Sequence, residues 1–161
     1  MSKFKAWSMA VVRLPYNYNP FYGLDKIKRL GFQALAVTGL YDIVVEVTGN
    51  SLEEIYRNVS QVSNLACVAG NTPYLAVRSC EKTKQRSNVC ILIDTASQDV
   101  ESVWEYISSI EEVGEAAIVL GVFDIVAMGN VSREGLARLL EKIGMGKGII
   151  RVVAMMELPR P

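Results

Sequence analysis

The stretch Gly39-Leu40-Tyr41-Asp42-Ile43-Val44 returns in the same chemical order as Gly121-Val122-Phe123-Asp124-Ile125-Val126, 82 residues further along a chain of 161. A glycine, an apolar residue, an aromatic, an aspartate and a β-branched run make an uncommon string. A second copy implies a duplicated module, and internal repetition is read before other signals because missing it misreads the whole fold. The flanking residues predict how each copy is built. In the first, residues 6–14 and 34–38 read as strands rich in Val and Ala. Asn19-Pro20 offers a helix cap with proline at the first helical position. Phe21, Leu24, Ile27 and Leu30 form one apolar stripe, with Gly31 as the stop. The repeated turn returns the chain as residues 42–48, and Ser51 with Glu54 three residues on is a capping box. Leu52, Ile55, Tyr56 and Val59 stripe a second helix, and 73–78 is a closing strand.

The second copy follows the same order. Residues 89–95, 116–120, 123–128 and 149–158 read as strands. Val100, Val103, Trp104, Ile107 and Ile110 stripe one helix, and Leu136, Leu139, Leu140 and Ile143 stripe the other behind the cap Ser132. The expectation is therefore an α+β protein of two tandem ferredoxin-like (βαββαβ) domains: domain 1 over 1–81, a polar linker over 82–88, domain 2 over 89–161. Residues 149–156 are apolar on both faces except for Arg151, and Val44 and Val126 lie opposite Ile43 and Ile125. A half-exposed sheet would alternate apolar with polar. The helix-free faces thus need a cover, either the other domain's sheet or a second chain. The expected arrangement is antiparallel sheets packed face to face.

Composition narrows function. Half the residues are apolar and 21% are charged, as in ordinary globular chains. The 17 basic and 17 acidic side chains cancel, and no broad basic face emerges to hold a phosphate backbone, so no direct nucleic-acid binding is expected. The balance is uneven: 8 basic and 6 acidic side chains in 1–81, Lys82, Lys84 and Arg86 in the linker, then 6 basic and 11 acidic in 89–161. There is no histidine, which removes an imidazole base or metal ligand. Cys67, Cys80 and Cys90 lack metal-ligand or redox spacing, so no metal and no cofactor are expected. Lys3 and Lys5 before an apolar run faintly mimic a signal peptide, but Arg13 ends the run without a cleavage site. No segment is long enough to span a bilayer as a helix. A cytoplasmic protein away from membranes is expected, its thiols idle. Trp7 and Trp104 read as core, and Gly144-Met145-Gly146-Lys147-Gly148 fits neither phosphate-loop nor dinucleotide spacing.

The string from Val37 to Val47, the capped Ser51-Leu52-Glu53-Glu54 helix and the closing Tyr74-Leu75-Ala76-Val77-Arg78 strand resemble the effector-binding (RAM) domain of the Lrp/AsnC regulators. The resemblance covers nearly all of the first copy and, more loosely, the second. There Phe123 stands for Tyr41, Met128 for Glu46 and Gly129 for Val47. It implies sheet-to-sheet dimers, larger assemblies and amino acids bound near the glycine-aromatic-aspartate turn. Only about five residues precede the first strand, too few for the family's helix-turn-helix.

The expected site is therefore Gly39, Leu40, Tyr41 and Asp42, with Gly121, Val122, Phe123 and Asp124. Backbone N–H groups at each turn can take a carboxylate. Asp42 or Asp124 can take an ammonium at roughly 1.5–3 kcal/mol per charge-assisted bond, and Leu40 or Val122 can receive a side chain. The plainer reading has glycine supplying a positive φ, the aromatic packing inward and the aspartate bonding nearby backbone. The function expected from the residues and resemblance together is non-catalytic: an amino-acid-binding module that self-associates or joins full-length Lrp/AsnC-type regulators. The alternative is a ligand-free oligomerisation subunit for such regulators.

Overall fold

The computed structural model describes residues 3–16 and 19–161. The chain forms two compact units, one of Met1–Ala76 with Glu157–Pro161 and one of Val77–Met156. The first holds β1 (Phe4–Val12), α1 (Pro20–Arg29), β2 (Gln33–Thr38), β3 (Ile43–Gly49), α2 (Leu52–Ser63) and the start of β4 (Val68–Glu81), whose residues from Val77 on are counted in the second unit. The second runs β5 (Val89–Thr95), a 3-10 turn, α3 (Val100–Ser109), β6 (Val113–Leu120), β7 (Ile125–Gly129), α4 (Arg133–Gly144) and β8 (Ile149–Glu157). Each half has ferredoxin-like strand order, β4-β1-β3-β2 and β8-β5-β7-β6. The expectation of two separate sheets packed face to face is overturned: all eight strands belong to one antiparallel sheet carrying four helices. Strand patterning reports which face is buried. It does not report which edges pair, and so it gave no sign of the joining.

Local signals act as their chemistry requires. Ser51 accepts the Glu54 N–H at 3.1 Å, satisfying an orphan donor at the start of α2, and the Glu54 carboxylate accepts the N–H of Asn50, just before the cap, at 2.8 Å. Ser132 does the same for Gly135 at 3.0 Å. Gly31 ends α1 with φ +98°, a left-handed conformation that costs glycine nothing.

The helix-facing side of the first unit's sheet is Ala6, Ala10, Ala36, Ile43, Val45 and Val47, packed on Leu24, Ile27, Ile55 and Val62. In the second unit Ile91, Ile93, Ala116, Ile125 and Ala127 pack on Val103, Ile107, Leu139 and Ile143. The opposite faces are buried as well, through Trp7, Met9, Val44 and Tyr74 in one unit and Cys90, Leu92, Val126 and Met155 in the other.

Segment 82–88, read as a solvated linker, is hydrogen-bonded to the second unit. Lys82 N–H donates to Gly114 O at 2.7 Å and its ammonium to Ile110 O at 2.7 Å. Asn88 and Val131 bond reciprocally, and Asn130 donates to Arg86 O.

Candidate functional site

The two repeated turns are held by matching bonds. Val37 N–H donates to Asp42 O and Val119 N–H to Asp124 O, both at 2.9 Å. Asp42 N–H donates to Ala10 O and Asp124 N–H to Ile93 O, both at 3.0 Å. The Asp42 carboxylate accepts the Val12 N–H at 2.7 Å. The Asp124 carboxylate accepts the Thr95 N–H at 2.9 Å and the Thr95 hydroxyl at 3.3 Å. Gly39 has φ +133°, whereas Gly121 is not in the positive-φ region. Leu40 and Val122 are exposed, Tyr41 is half-buried and Phe123 is 1% exposed. Both aspartates thus splice the turn to the end of the first strand of their half.

Tyr41 leads to a second constellation. Its hydroxyl lies 2.8 Å from that of Tyr74, and the rings meet edge to face at 6.4 Å. Tyr74 on β4 stands opposite Trp7 on β1, and Trp7 stands opposite Glu46 on β3. Glu46, Trp7 and Tyr74 therefore form a row across three strands on the helix-free face. Lys5, two residues before Trp7 and so on the same face, places its ammonium 3.1 Å from the Glu46 carboxylate and 5.1 Å from the centre of the Trp7 indole. The Lys5 and Glu46 side chains are 19% and 35% exposed, Trp7 is 1% and Tyr74 is fully buried. The Trp7 Nε1–H has no hydrogen-bond partner among the described residues.

The same face of the second unit holds an Asp94–Arg151 pair at 2.9 Å, with the guanidinium 4.5 Å from the Phe123 ring centre, and the buried Glu115, but its central row is different. By register, Cys90 takes the place of Trp7, Met128 of Glu46 and Met155 of Tyr74, with Phe123 at the place of Tyr41. Burial pushes the Cys90 thiol up to about 12, so it is a neutral core group. Between residues 83–87 and the Glu112 and Asn130 side chains lies a cleft of about 90 Å³, well below the few hundred Å³ an organic ligand fills.

Of the eight residues expected at the site, the structure brings one, Tyr41, to this constellation. Lys5, Trp7, Glu46 and Tyr74 escaped the sequence reading, although a signal existed. Lys5 shares strand parity with Trp7, and Glu46 is the one charged residue in the apolar stretch Ile43–Val47.

The fold defines the class first: a duplicated ferredoxin-like chain whose eight strands make one sheet, as in chlorite dismutase. No protein-family model and no curated protein matches the sequence. A siroheme decarboxylase solved with an iron-uroporphyrin III analogue superposes with a TM-score of 0.66 at 11% identity, over 96% of this chain and 71% of that one. A mutant chlorite dismutase from Candidatus Nitrospira defluvii solved with cyanide gives 0.60 at 9%, over 97% and 90%. A putative monooxygenase from Lactobacillus acidophilus NCFM gives 0.55 at 6%, over 98% and 94%. At these identities the likeness is one of fold.

These whole-chain neighbours overturn the expected non-catalytic amino-acid sensor and its alternative, a subunit for Lrp/AsnC-type regulators. They carry the names of enzymes, and the organic ligand named among them is an iron tetrapyrrole, not an amino acid. Of the RAM resemblance, only the ferredoxin-like strand order of each half is seen. It misled because a half-chain motif does not encode how two halves are joined.

An iron tetrapyrrole is held in proteins by His, Cys thiolate, Met or Tyr. This chain has no histidine, Cys90 is a protonated core thiol, Cys67, Met9 and Met155 are packed in buried faces, and the Tyr74 hydroxyl is engaged with Tyr41. The donors around the Lys5–Glu46–Trp7–Tyr74 constellation do not fit an axially ligated iron tetrapyrrole. Among the described residues no helix is long and apolar enough to cross a membrane.

Proposed function

We propose that this chain is an enzyme acting on a small organic substrate at the helix-free face of the first unit. Glu46 is the proton acceptor, Lys5 the counter-charge and the hydrogen-bonded Tyr41–Tyr74 pair the aromatic wall against which the substrate is placed. One observation carries the reading: the first unit's helix-free face joins a buried indole N–H without an acceptor among the described residues to a lysine–glutamate pair and two bonded phenols in one row, whereas the corresponding row of the second unit is Cys90, Met128 and Met155. Withdrawing an ion pair from water costs several kcal/mol per ion before its attraction is counted. At the corresponding positions the second unit places the apolar row Cys90–Met128–Met155, with Glu115 and the Asp94–Arg151 pair elsewhere on that face. The carboxylate, indole and phenol of the first row in place of the apolar second one, together with fold neighbours that carry the names of enzymes, support a catalytic use.

In the proposed reaction an acidic C–H or O–H of the substrate gives its proton to the Glu46 carboxylate, and the substrate keeps the electron pair. The Lys5 ammonium, already beside that carboxylate, offsets the negative charge passed to the substrate. Glu46, 35% exposed, then gives the proton up to water or returns it to the substrate carbon, which resets the site. Three cysteines that form no disulfide fit a reducing, cytoplasmic setting.

Deuterium uptake from D2O at the acidic C–H of benzyl ketones, followed by proton NMR, tests this. The folded protein accelerates exchange, Glu46→Gln lowers the rate by about 100-fold or more, and Tyr74→Phe lowers it by less. Exchange no faster than in buffer, or a Glu46→Gln variant as active as the parent, would overturn the proposal.

A further inference from the structure

We infer that the Trp7 indole N–H is the anchor for an anionic oxygen of the ligand; the inference rests on the site reading above and names the ligand chemistry. The two tryptophans make the case by contrast. Trp104 Nε1–H donates to Ala116 O at 2.9 Å, as buried indoles generally find an acceptor. Trp7 is more deeply buried, at 1% exposure against 8%, yet its N–H meets no acceptor among the described residues. An orphaned buried donor costs stability unless something bound completes it.

The indole N–H donates and cannot accept, so it selects an acceptor atom. The Lys5 ammonium over the ring face makes that acceptor's best charge negative. Glu46 on one side of the row repels a second carboxylate, which disfavours a dianion. The Tyr41 and Tyr74 rings, edge to face beside the row, suit a flat partner. Together these describe a planar organic mono-anion with its charge on oxygen, an enolate or a phenolate. This is the species that forms when Glu46 removes a proton from a ketone or phenol. The same donor would thus strengthen its bond as charge develops on the oxygen, the condition for lowering a barrier rather than only tightening binding.

The probe is 4-nitrophenolate, titrated into 15N-labelled protein while the two indole N–H signals are followed. The Trp7 signal moves downfield, the Trp104 signal stays, and Trp7→Phe binds about tenfold or more weakly. The NMR arm decides the question even where Trp7→Phe fails to fold. Binding that Tyr74→Phe weakens, with no shift at Trp7 and unchanged affinity in Trp7→Phe, overturns the anchoring role and leaves the site standing. No binding, or binding indifferent to Tyr74→Phe, removes the site and the anchor together.

Discussion

The two halves of this chain share a scaffold bond for bond and differ in what they place on it. Around Asp42 and Asp124 the same three backbone hydrogen bonds recur at nearly the same lengths. On the helix-free face, Glu46–Trp7–Tyr74 in one half corresponds by register to Met128–Cys90–Met155 in the other. Sulfur-bearing side chains are soft and fill irregular space without asking for partners, whereas carboxylate, indole and phenol must each be satisfied or left at a cost. A duplicated fold can hold one copy as ballast while the other acquires chemistry, because the turn and helix-facing core that hold each unit together lie elsewhere. Which residues may be exchanged between the halves is therefore the sharpest probe of the scheme.

The largest effect is expected where the scaffold itself departs from symmetry. Gly129 stands where the first half has Val47, which is fully buried. A Cβ on Gly129 would lie 2.6 Å from the Glu112 carbonyl oxygen, a backbone atom that cannot swing aside. Gly129→Val, which makes the halves alike in sequence, should destabilise the protein by about 3 kcal/mol or more. A lowered urea midpoint at unchanged slope would register this. Gly70→Ala is the control, since nothing lies within 4 Å of its Cβ position. A Gly129→Val variant as stable as the parent would mean that the second half can adopt the packing of the first.

A smaller and more even effect is expected at the turns. Asp42→Ala leaves the Val12 N–H without its acceptor, and Asp124→Ala does the same to the Thr95 N–H and hydroxyl. Each should cost about 1–3 kcal/mol, with Asp124 the larger because it holds two donors. Thermal melts of the two variants read the difference directly. Near-neutral Asp42→Ala beside a costly Asp124→Ala would break the equivalence and return Asp42 to consideration as a ligand contact.

Much of this symmetry is legible in sequence because it is local. Ser51, Glu54, Ser132 and Gly31 state their roles through the backbone groups they satisfy within four residues, and the repeated turn announces the duplication. The joining of the halves is not local. β4 extends over Val68–Glu81, well past the expected 73–78, because a long strand is sustained by partners distant in sequence rather than by its own alternation. The site was half legible. Tyr41 and Phe123 already differed across the repeat, as did Glu46 and Met128, but Trp7 reads as core from its neighbours alone. Its orphaned N–H becomes visible only when every nearby acceptor can be placed.

The smallest expected effect compares one exposed ion pair in each half. Lys142 donates to the Glu112 carboxylate at 2.8 and 2.9 Å and holds its titration below the ordinary 4.5. Arg160 donates to Asp25 at 2.6 Å and holds it below the ordinary 3.8. A carboxyl whose folded titration is lowered adds stability that is complete above its unfolded value and fades as pH falls through the folded one. Lys142→Met should therefore lower stability at neutral pH, by less than about 1 kcal/mol because both partners meet water. The deficit should close as pH drops below 4.5. Arg160→Met should follow the same course with its window displaced downward, since aspartate starts from 3.8. Urea unfolding of both variants and the parent between pH 7 and the acid limit of folding measures the two windows. A deficit in Lys142→Met that is independent of pH would show that the lysine contributes through its packed stem and not through the charge on Glu112.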